Sequence, residues 1–292
     1  MRIASTQFHA TMNSALQTAN SGLALVMQQM ASGQRVQKPS DDTIASMRLS
    51  RLSREEASMT QYQSNIDALK SRLTNNETLL DSMKQDMMQA RDLLVWAADG
   101  SNTQADLQAM AGSLDSLRDS LLHTANSQDS EGRSVFSGTA TDQPTIDASF
   151  TYQGNAATQQ VAVGAGVTVP ANVSLPEMAA LVKQLDQLST LLKSGVTADA
   201  AHPTVAASLT LLDSTMNSVT GKIGSLGGLQ NVLSTLQDNQ DAISLSNKQA
   251  ALTLGQLDYG EAATRLNSYT LAVQATQKAY GRVSGLSLFN AL

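Results

Sequence analysis

From Leu52 the residues Met59, Tyr62, Ile66, Leu69, Leu73, Asn76, Leu80, Met83, Met87, Ala90, Leu94 and Ala97 step forward by seven, then by alternating threes and fours. All but Asn76 are apolar or, for Tyr62, largely so. That is the a/d seam of a coiled coil. A helix over 40–98 carrying it spans on the order of 85–90 Å, a length that no compact globule requires. The chain must therefore be organised around at least one very long helix and a partner for its seam.

A second seam supplies the partner. Leu226, Leu229, Leu233, Leu236, Gln240, Ile243, Asn247, Ala250, Leu254 and Leu257 keep the same alternation. The phase breaks at Asp258–Tyr259–Gly260 and resumes at Leu266, Tyr269, Val273, Thr276, Tyr280 and Val283, which predicts a kink or a change of partner there. A third, shorter seam opens the chain at Met12, Leu16, Ala19, Leu23, Val26 and Met30. Two shorter helices complete the set. Leu107, Met110, Leu114, Leu117 and Leu121 mark one, after a loop at 99–102, and Val205, Leu209, Leu212, Met216 and Val219 mark the other, after Pro203.

The middle of the chain, about 134–201, has a different pattern. Ser149–Tyr152, Gln160–Val163 and Val167–Val169 read as short strands, with turn signals at Gln153–Asn155, Gly164, Gly166 and Pro170. Ser174 and Glu177 have the spacing of a capping box before a helix carrying Leu181, Leu185, Leu188 and Leu191, which ends at Gly195. The expected fold is mainly α with a small β or α/β insert. Both chain ends contribute to a long antiparallel helical bundle or coiled coil, and the insert sits at its far end, facing outward.

Composition narrows the function. Aromatic residues are 3% of the chain, so the core is aliphatic, helped by 12 Met. Charged residues are only 15%, against roughly 25% in an ordinary soluble domain. The net charge of −6 comes with no concentrated basic patch, which argues against nucleic acid as a partner. No apolar run approaches the roughly 18 residues of a membrane span, and the first residues lack the pattern of a cleaved secretory signal. The absence of cysteine removes thiol chemistry and disulfides. His9, His123 and His202 stand far apart with no neighbouring ligand at metal-binding spacing, so neither a metal nor a cofactor is expected. Adjacent Asp41 and Asp42 diverge by about 100° on a helix, which is poor geometry for shared acid–base work. Nothing here suggests an enzyme. The helix flanks are rich in Ala, Ser, Thr, Gln and Asn rather than Glu and Lys, which suits helices packed on several sides in a multi-subunit assembly.

One segment, Ala31–Asp42 (ASGQRVQKPSDD), punctuates the first two helices. Gly33 is expected to end the first. Ser40 is expected to cap the second, with Asp41 and Asp42 complementing its positive N-terminal end. Arg35 and Lys38 read as exposed charges available to a neighbouring subunit. The glycines at 221, 224, 227 and 228 do not form a phosphate loop, and are read as permitting a bend or close helix approach.

The segments MRIAST at the start, MASGQRVQKPSDD at 30–42, QYQSNIDALKSRLTNNETLLDSM at 61–83, LLHTANSQDSEGRSVFSGTATDQP at 121–144, and LDYGEAATRL and VSGLSLFNAL near the end resemble the flagellin superfamily. Within it, Gly132–Gly138 and the ending Leu286–Phe289 resemble the hook-associated protein 3 family of hook–filament junction subunits. One departure is Thr43, where such proteins often carry proline. The resemblance implies a secreted structural subunit, exported through the flagellar type III apparatus with the help of an export chaperone. It implies an oligomer of this chain in the extracellular flagellum, between hook-associated protein 1 and flagellin. It also divides the chain into inner-tube helices at 1–31 and 259–292, rod segments at 32–135 and 204–258, and an insert at 136–203. The joint residues are then Gly33, Arg35, Lys38, Asp41 and Asp42. The inter-subunit residues of the terminal helices are Met12, Leu16, Leu23, Met30, Leu266, Tyr269, Val273, Tyr280, Leu288 and Phe289. A filament-forming flagellin, or a surface-binding module acting through the insert, are the alternative readings.

Overall fold

The computed structural model describes the backbone of residues 2–289 and the side chains of residues 6–282. Six helices and one hairpin follow in the order α1 Arg2–Ser32, α2 Thr43–Ala97, α3 Gln104–Ala125, β1 Gln160–Gly164, β2 Val167–Pro170, α4 Pro176–Lys193, α5 Ala198–Gly255 and α6 Tyr259–Phe289. They form two compact units, Met59–Asp241 and Met1–Ser58 with Ala242–Leu292. The fold is mainly α with a small β element, as the seams and the hairpin pattern require.

In the unit Met59–Asp241, α2 and α5 run antiparallel. Gln63 donates to Asp241 at 2.6 Å, Gln237 to Asp67 at 3.0 Å and Arg91 to Asp213 at 2.8 Å, so each advance along α2 is matched by an equal retreat along α5. The seam is the buried face. Ile66, Leu69, Leu73, Leu80, Met83, Met87, Ala90, Leu94 and Ala97 all lie in the core, with Asn76 among them. α3 and α4 pack on one another and add Leu107, Leu114, Leu121, Leu181, Leu185 and Leu188 to the same core. Burying a side chain of this kind contributes about 1.5–3 kcal/mol, so the repeated seam positions together account for a large share of this unit's stability.

The hairpin is antiparallel, Val161 opposite Val169, with an irregularity between Ala162 and Gly164. Helix side chains satisfy its outward carbonyls: Asn65 donates to Ala162 O at 2.8 Å and Gln240 to Val163 O at 2.6 Å. Phe136, Ile146, Val163, Val169 and Leu175 belong to the helices' own core. The middle segment is thus structurally continuous with the helices around it.

Several local expectations are corrected. Ser149–Tyr152 is not a strand. Asp147 Oδ1 accepts the backbone N–H of both Ser149 and Thr151, and Phe150 takes a left-handed φ of 58°, so a local turn outcompetes extended pairing. The Ser174–Glu177 capping box does not form. Leu175 is the N-cap ahead of Pro176, and Glu177 instead accepts from Lys222 and Ser218. A capping box forms instead at Thr103 and Asp106, at the start of α3. The two helices expected over 205–219 and 226–257 are one helix, α5, which continues through Pro203 at its sixth residue, where the proline forgoes the bond its N–H would make to Asp199 O. A β-carbon at Gly221, Gly224, Gly227 or Gly228 would meet nothing within 4 Å, so no close approach within the chain requires these glycines.

Candidate assembly joint

The unit formed by Met1–Ser58 and Ala242–Leu292 contains the punctuated segment and the two terminal helices. α1 ends as the sequence indicated. Gly33 donates its N–H to Gln29 O at 2.8 Å with φ +69°, a left-handed stop that glycine adopts without steric cost. The next residues then dock on the break between α5 and α6. Arg35 N donates to Gly255 O at 2.8 Å, Leu257 N donates to Gly33 O at 3.0 Å, and Gln34 and Gln256 form an isolated antiparallel bridge. Gln29, only 6% exposed, closes the turn by donating its amide to Arg35 O at 2.7 Å. The Tyr259 hydroxyl donates to Met30 O at 3.3 Å.

Arg35 is the centre of this clip. Its Nη1 pairs with Asp42 Oδ2 at 3.0 Å, and its Nη2 donates to Leu254 O at 3.1 Å. The guanidinium therefore sits at the negative C-terminal end of α5 while holding the carboxylate at the start of α2. That carboxylate is the true N-cap: Asp42 Oδ1 accepts Ala45 N at 2.9 Å. The expected cap at Ser40 is thus displaced by two residues, because Ser40 lies in a turn before the helix begins at Thr43. The Ala45 N–H, then Arg35, hold the Asp42 carboxyl below the usual carboxylate range. Asp41 acts separately, accepting the backbone N–H of Gln37 at 3.1 Å and of Lys38 at 2.9 Å. Lys38 is exposed, and among the described residues it forms no ion pair. Of the two cations read as facing a neighbour, Arg35 is engaged within its own chain and Lys38 remains available.

α1 and α6 pack antiparallel. Val26, Leu257 and Ala262 form a small core, joined by Met30, Leu266 and Tyr269. Met12, Leu16, Leu23 and Val273 are half-buried along the same seam, whereas Tyr280 is exposed, with its ring edge-on to His9 at 5.4 Å. The side chains of Leu288 and Phe289 lie outside the described residues.

Between α2 and α5 in this unit the polarity is inverted. The Glu56 carboxylate takes the Ser244 hydroxyl at 2.6 Å and the Lys248 ammonium at 3.0 Å, which holds its pKa down, Ser244 contributing most. Ile243, assigned to the seam from its spacing, is 46% exposed while Ser244 is buried. Ile44, Met47, Leu245 and Leu252 are exposed as well. An apolar groove of about 890 Å³, walled by Val36, Leu49, Leu52 and Leu252, opens beside the clip. Among the described residues no group of His, Cys, Asp or Glu could hold a metal ion, and no helix is long and apolar enough to cross a membrane.

Residues 3–141 match the family described as the bacterial flagellin N-terminal helical region. The chain is 28% identical to flagellar hook-associated protein 3 of Escherichia coli (strain K12) over 286 residues, covering 90% of each. It is 26% identical to the like-named protein of Salmonella typhimurium, covering 99% of each. Among solved structures, a protein described as a flagellar hook-associated protein from Vibrio parahaemolyticus is similar at 34% identity with a TM-score of 0.68, over 73% of this chain and 99% of that one. With a flagellin-type N-terminal region, relatives that span nearly its full length and a shared fold, the chain belongs to the flagellar hook-associated protein 3 family.

Proposed function

We propose that this chain is a structural subunit of the bacterial flagellum that assembles as a tier at the junction between hook and filament. The observation that carries this reading is the inverted polarity beside the joint. Glu56 holds both Ser244 and Lys248, while Ile44, Met47, Leu245 and Leu252 face outward. Large apolar side chains left exposed on both helices beside the joint suit surfaces that neighbouring protein covers. The low charge of the chain supports the same reading, since close packing against several neighbours penalises buried unpaired charge.

In this assembly, copies of the chain pack side by side through the terminal helices and the groove beside the clip. Hook-associated protein 1 lies on the hook side and flagellin on the filament side. The work is mechanical: the clip fixes how the chain turns from α1 into α2, and the exposed apolar faces set the spacing of neighbours. Export through the flagellar type III apparatus, with a chaperone shielding the terminal seams, would deliver the subunit to the extracellular flagellum. The assembly test adds purified chain to hook fragments that end in hook-associated protein 1. A growth-limited tier that then accepts flagellin is the expected result. Unlimited polymerisation of the chain alone would make it a filament flagellin instead.

A further inference from the structure

Charge is divided unevenly between the two units. Met1–Ser58 with Ala242–Leu292 carries 10 Lys and Arg against 6 Asp and Glu, whereas Met59–Asp241 carries 9 against 19. Each unit bares part of its surplus on an outward stripe of α2. In the first, Ile44, Met47, Arg51 and Arg54 advance by three, four and three residues with Arg48 beside them, which puts all five on one helix face. All five are exposed, Ile44 at 63% and Met47 at 62%. The ion pairs of this unit, Arg35–Asp42, Lys248–Glu56 and Arg265–Glu261, leave the three arginines out. Glu55 is the one carboxylate beside them that is not turned toward α5, so the stripe keeps a positive balance. In Met59–Asp241 the stripe runs Asp81, Met88, Asp92 and Val95, by steps of seven, four and three, with Trp96 beside it. Met88, Val95 and Trp96 are about half exposed or more, and among the described residues Asp81 and Asp92 form no ion pair. Of the cations nearby, Arg91 is held by Asp213 at 2.8 Å and Lys84 flanks the stripe.

An exposed Met or Val standing alone needs no explanation. Here large apolar side chains recur at helical spacing on two stripes, and the stripes carry opposite charge. Like charges set each stripe against a copy of itself, so the arginine stripe of one copy selects the aspartate stripe of another. We propose that the Ile44–Arg54 stripe of one copy docks on the Asp81–Trp96 stripe of a second copy. Ile44 and Met47 pack on Met88, Val95 and Trp96, while the three arginines face Asp81 and Asp92. The apolar side chains supply most of the affinity, and the charges choose the partner and its orientation. Because the two surfaces differ, the contact is heterologous: a docked pair still offers one free stripe of each sign, so copies join in series. The inference rests on the proposed assembly and names for it a pair of surfaces that neither the terminal helices nor the groove beside the clip supplies.

Trp96 is the single tryptophan of the chain, so its emission reports directly on one of the two stripes. The test follows that emission and the sedimentation of the full chain as its concentration rises at low ionic strength. Association should shift the emission to the blue and protect Trp96 from acrylamide quenching, and added salt should weaken both effects. The triple change Arg48→Glu, Arg51→Glu and Arg54→Glu should weaken association by about tenfold, and so should Asp81→Lys with Asp92→Lys. An equal mixture of the two variants should recover it, because the reversed stripes match one another. Lys183→Glu, an exposed change on α4 away from both stripes, should leave it unaltered. Trp96 emission that does not respond to concentration, association that both variants retain, or a mixture that stays apart overturns the contact. Should a variant fail to fold, the salt dependence of Trp96 shielding in the unaltered chain decides alone. Tier growth on hook fragments by each variant singly would remove this contact and leave the junction reading standing. Pairing recovered in the mixture with no tier growth by the unaltered chain would do the reverse.

Discussion

The ring of Tyr269 lies so close to Gly22 that a β-carbon on Gly22 would stand 2.6 Å from its Cε1 and Cζ atoms. α1 and α6 therefore meet through a glycine that accepts an aromatic face. Gly22→Ala gains about 1 kcal/mol of helix propensity but forces the ring aside, an overpacking that costs about 1–3 kcal/mol. The net effect should be looser pairing of the terminal helices, read as faster amide exchange in α1. In the Tyr269→Ala background the same substitution should lose its steric penalty and slow exchange instead.

Gly33 is held at φ +69°, with the Tyr259 hydroxyl 3.2 Å from a would-be β-carbon. Gly33→Val should cost about 1–2 kcal/mol for the left-handed conformation, plus whatever displacement Tyr259 must make. Exchange protection should fall at the Leu257 and Arg35 amides, which bond Gly33 O and Gly255 O. Cells carrying the variant should export the subunit normally and form fewer intact junctions. Normal junctions would reduce the clip to a plain linker.

Arg35 and Asp42 act together, so their removal should be non-additive. Asp42→Ala loses both the cap on α2 and the anchor for Arg35, while Arg35→Ala loses the anchor and the contact to Leu254 O. The pH dependence has a definite sign. Because Asp42 titrates below its ordinary 3.8, its contribution is fully present above that value and is lost as pH falls through the lowered one. Protection of the Ala45 amide, followed from pH 6 downward, should decline only in that acid range. Asp42→Asn should flatten the curve.

In the core of Met59–Asp241, Leu80→Ala removes a fully buried side chain and should cost about 2–5 kcal/mol in chemical denaturation. Asn76→Leu should act in the opposite direction. It replaces a buried amide whose Nδ2 lacks an acceptor with a side chain that continues the seam, and a gain of about 1 kcal/mol is expected.

Deleting 136–201 should abolish folding of Met59–Asp241 rather than trim a peripheral lobe. Phe136, Ile146, Val163 and Leu175 lie in the helices' core, and Glu177 pairs with Lys222 of α5. Limited proteolysis of the deleted chain should show no protected fragment of that unit.

Much of this is legible in the sequence. The seam positions of α2 from Ile66 to Ala97 are buried, Gly33 stops α1 and the helix breaks at 256–258, two residues ahead of the expected 258–260, because periodicity, glycine's freedom at positive φ and a phase slip are local properties. Capping was read less well. A serine or a glutamate at the right spacing is only a candidate, and backbone geometry decides whether Ser40 or Asp42, and whether Ser174 or Leu175, takes the cap. The exposure of Ile243 was hidden for a different reason: a 3/4 repeat does not say which partner a helix faces at each point along its length.

The sequence by itself determined long helices, their buried stripes and a short hairpin, since each follows from neighbours within a few residues. Only the tertiary structure decided what Arg35 does. Its acceptor at Leu254 lies 219 residues away, and no local pattern records that the chain returns there. The same holds for Gly22 against Tyr269 and for Gln240 against the hairpin. Such contacts are set by how separate helices pack, and packing depends on every side chain at the interface rather than on the spacing within one strand of sequence.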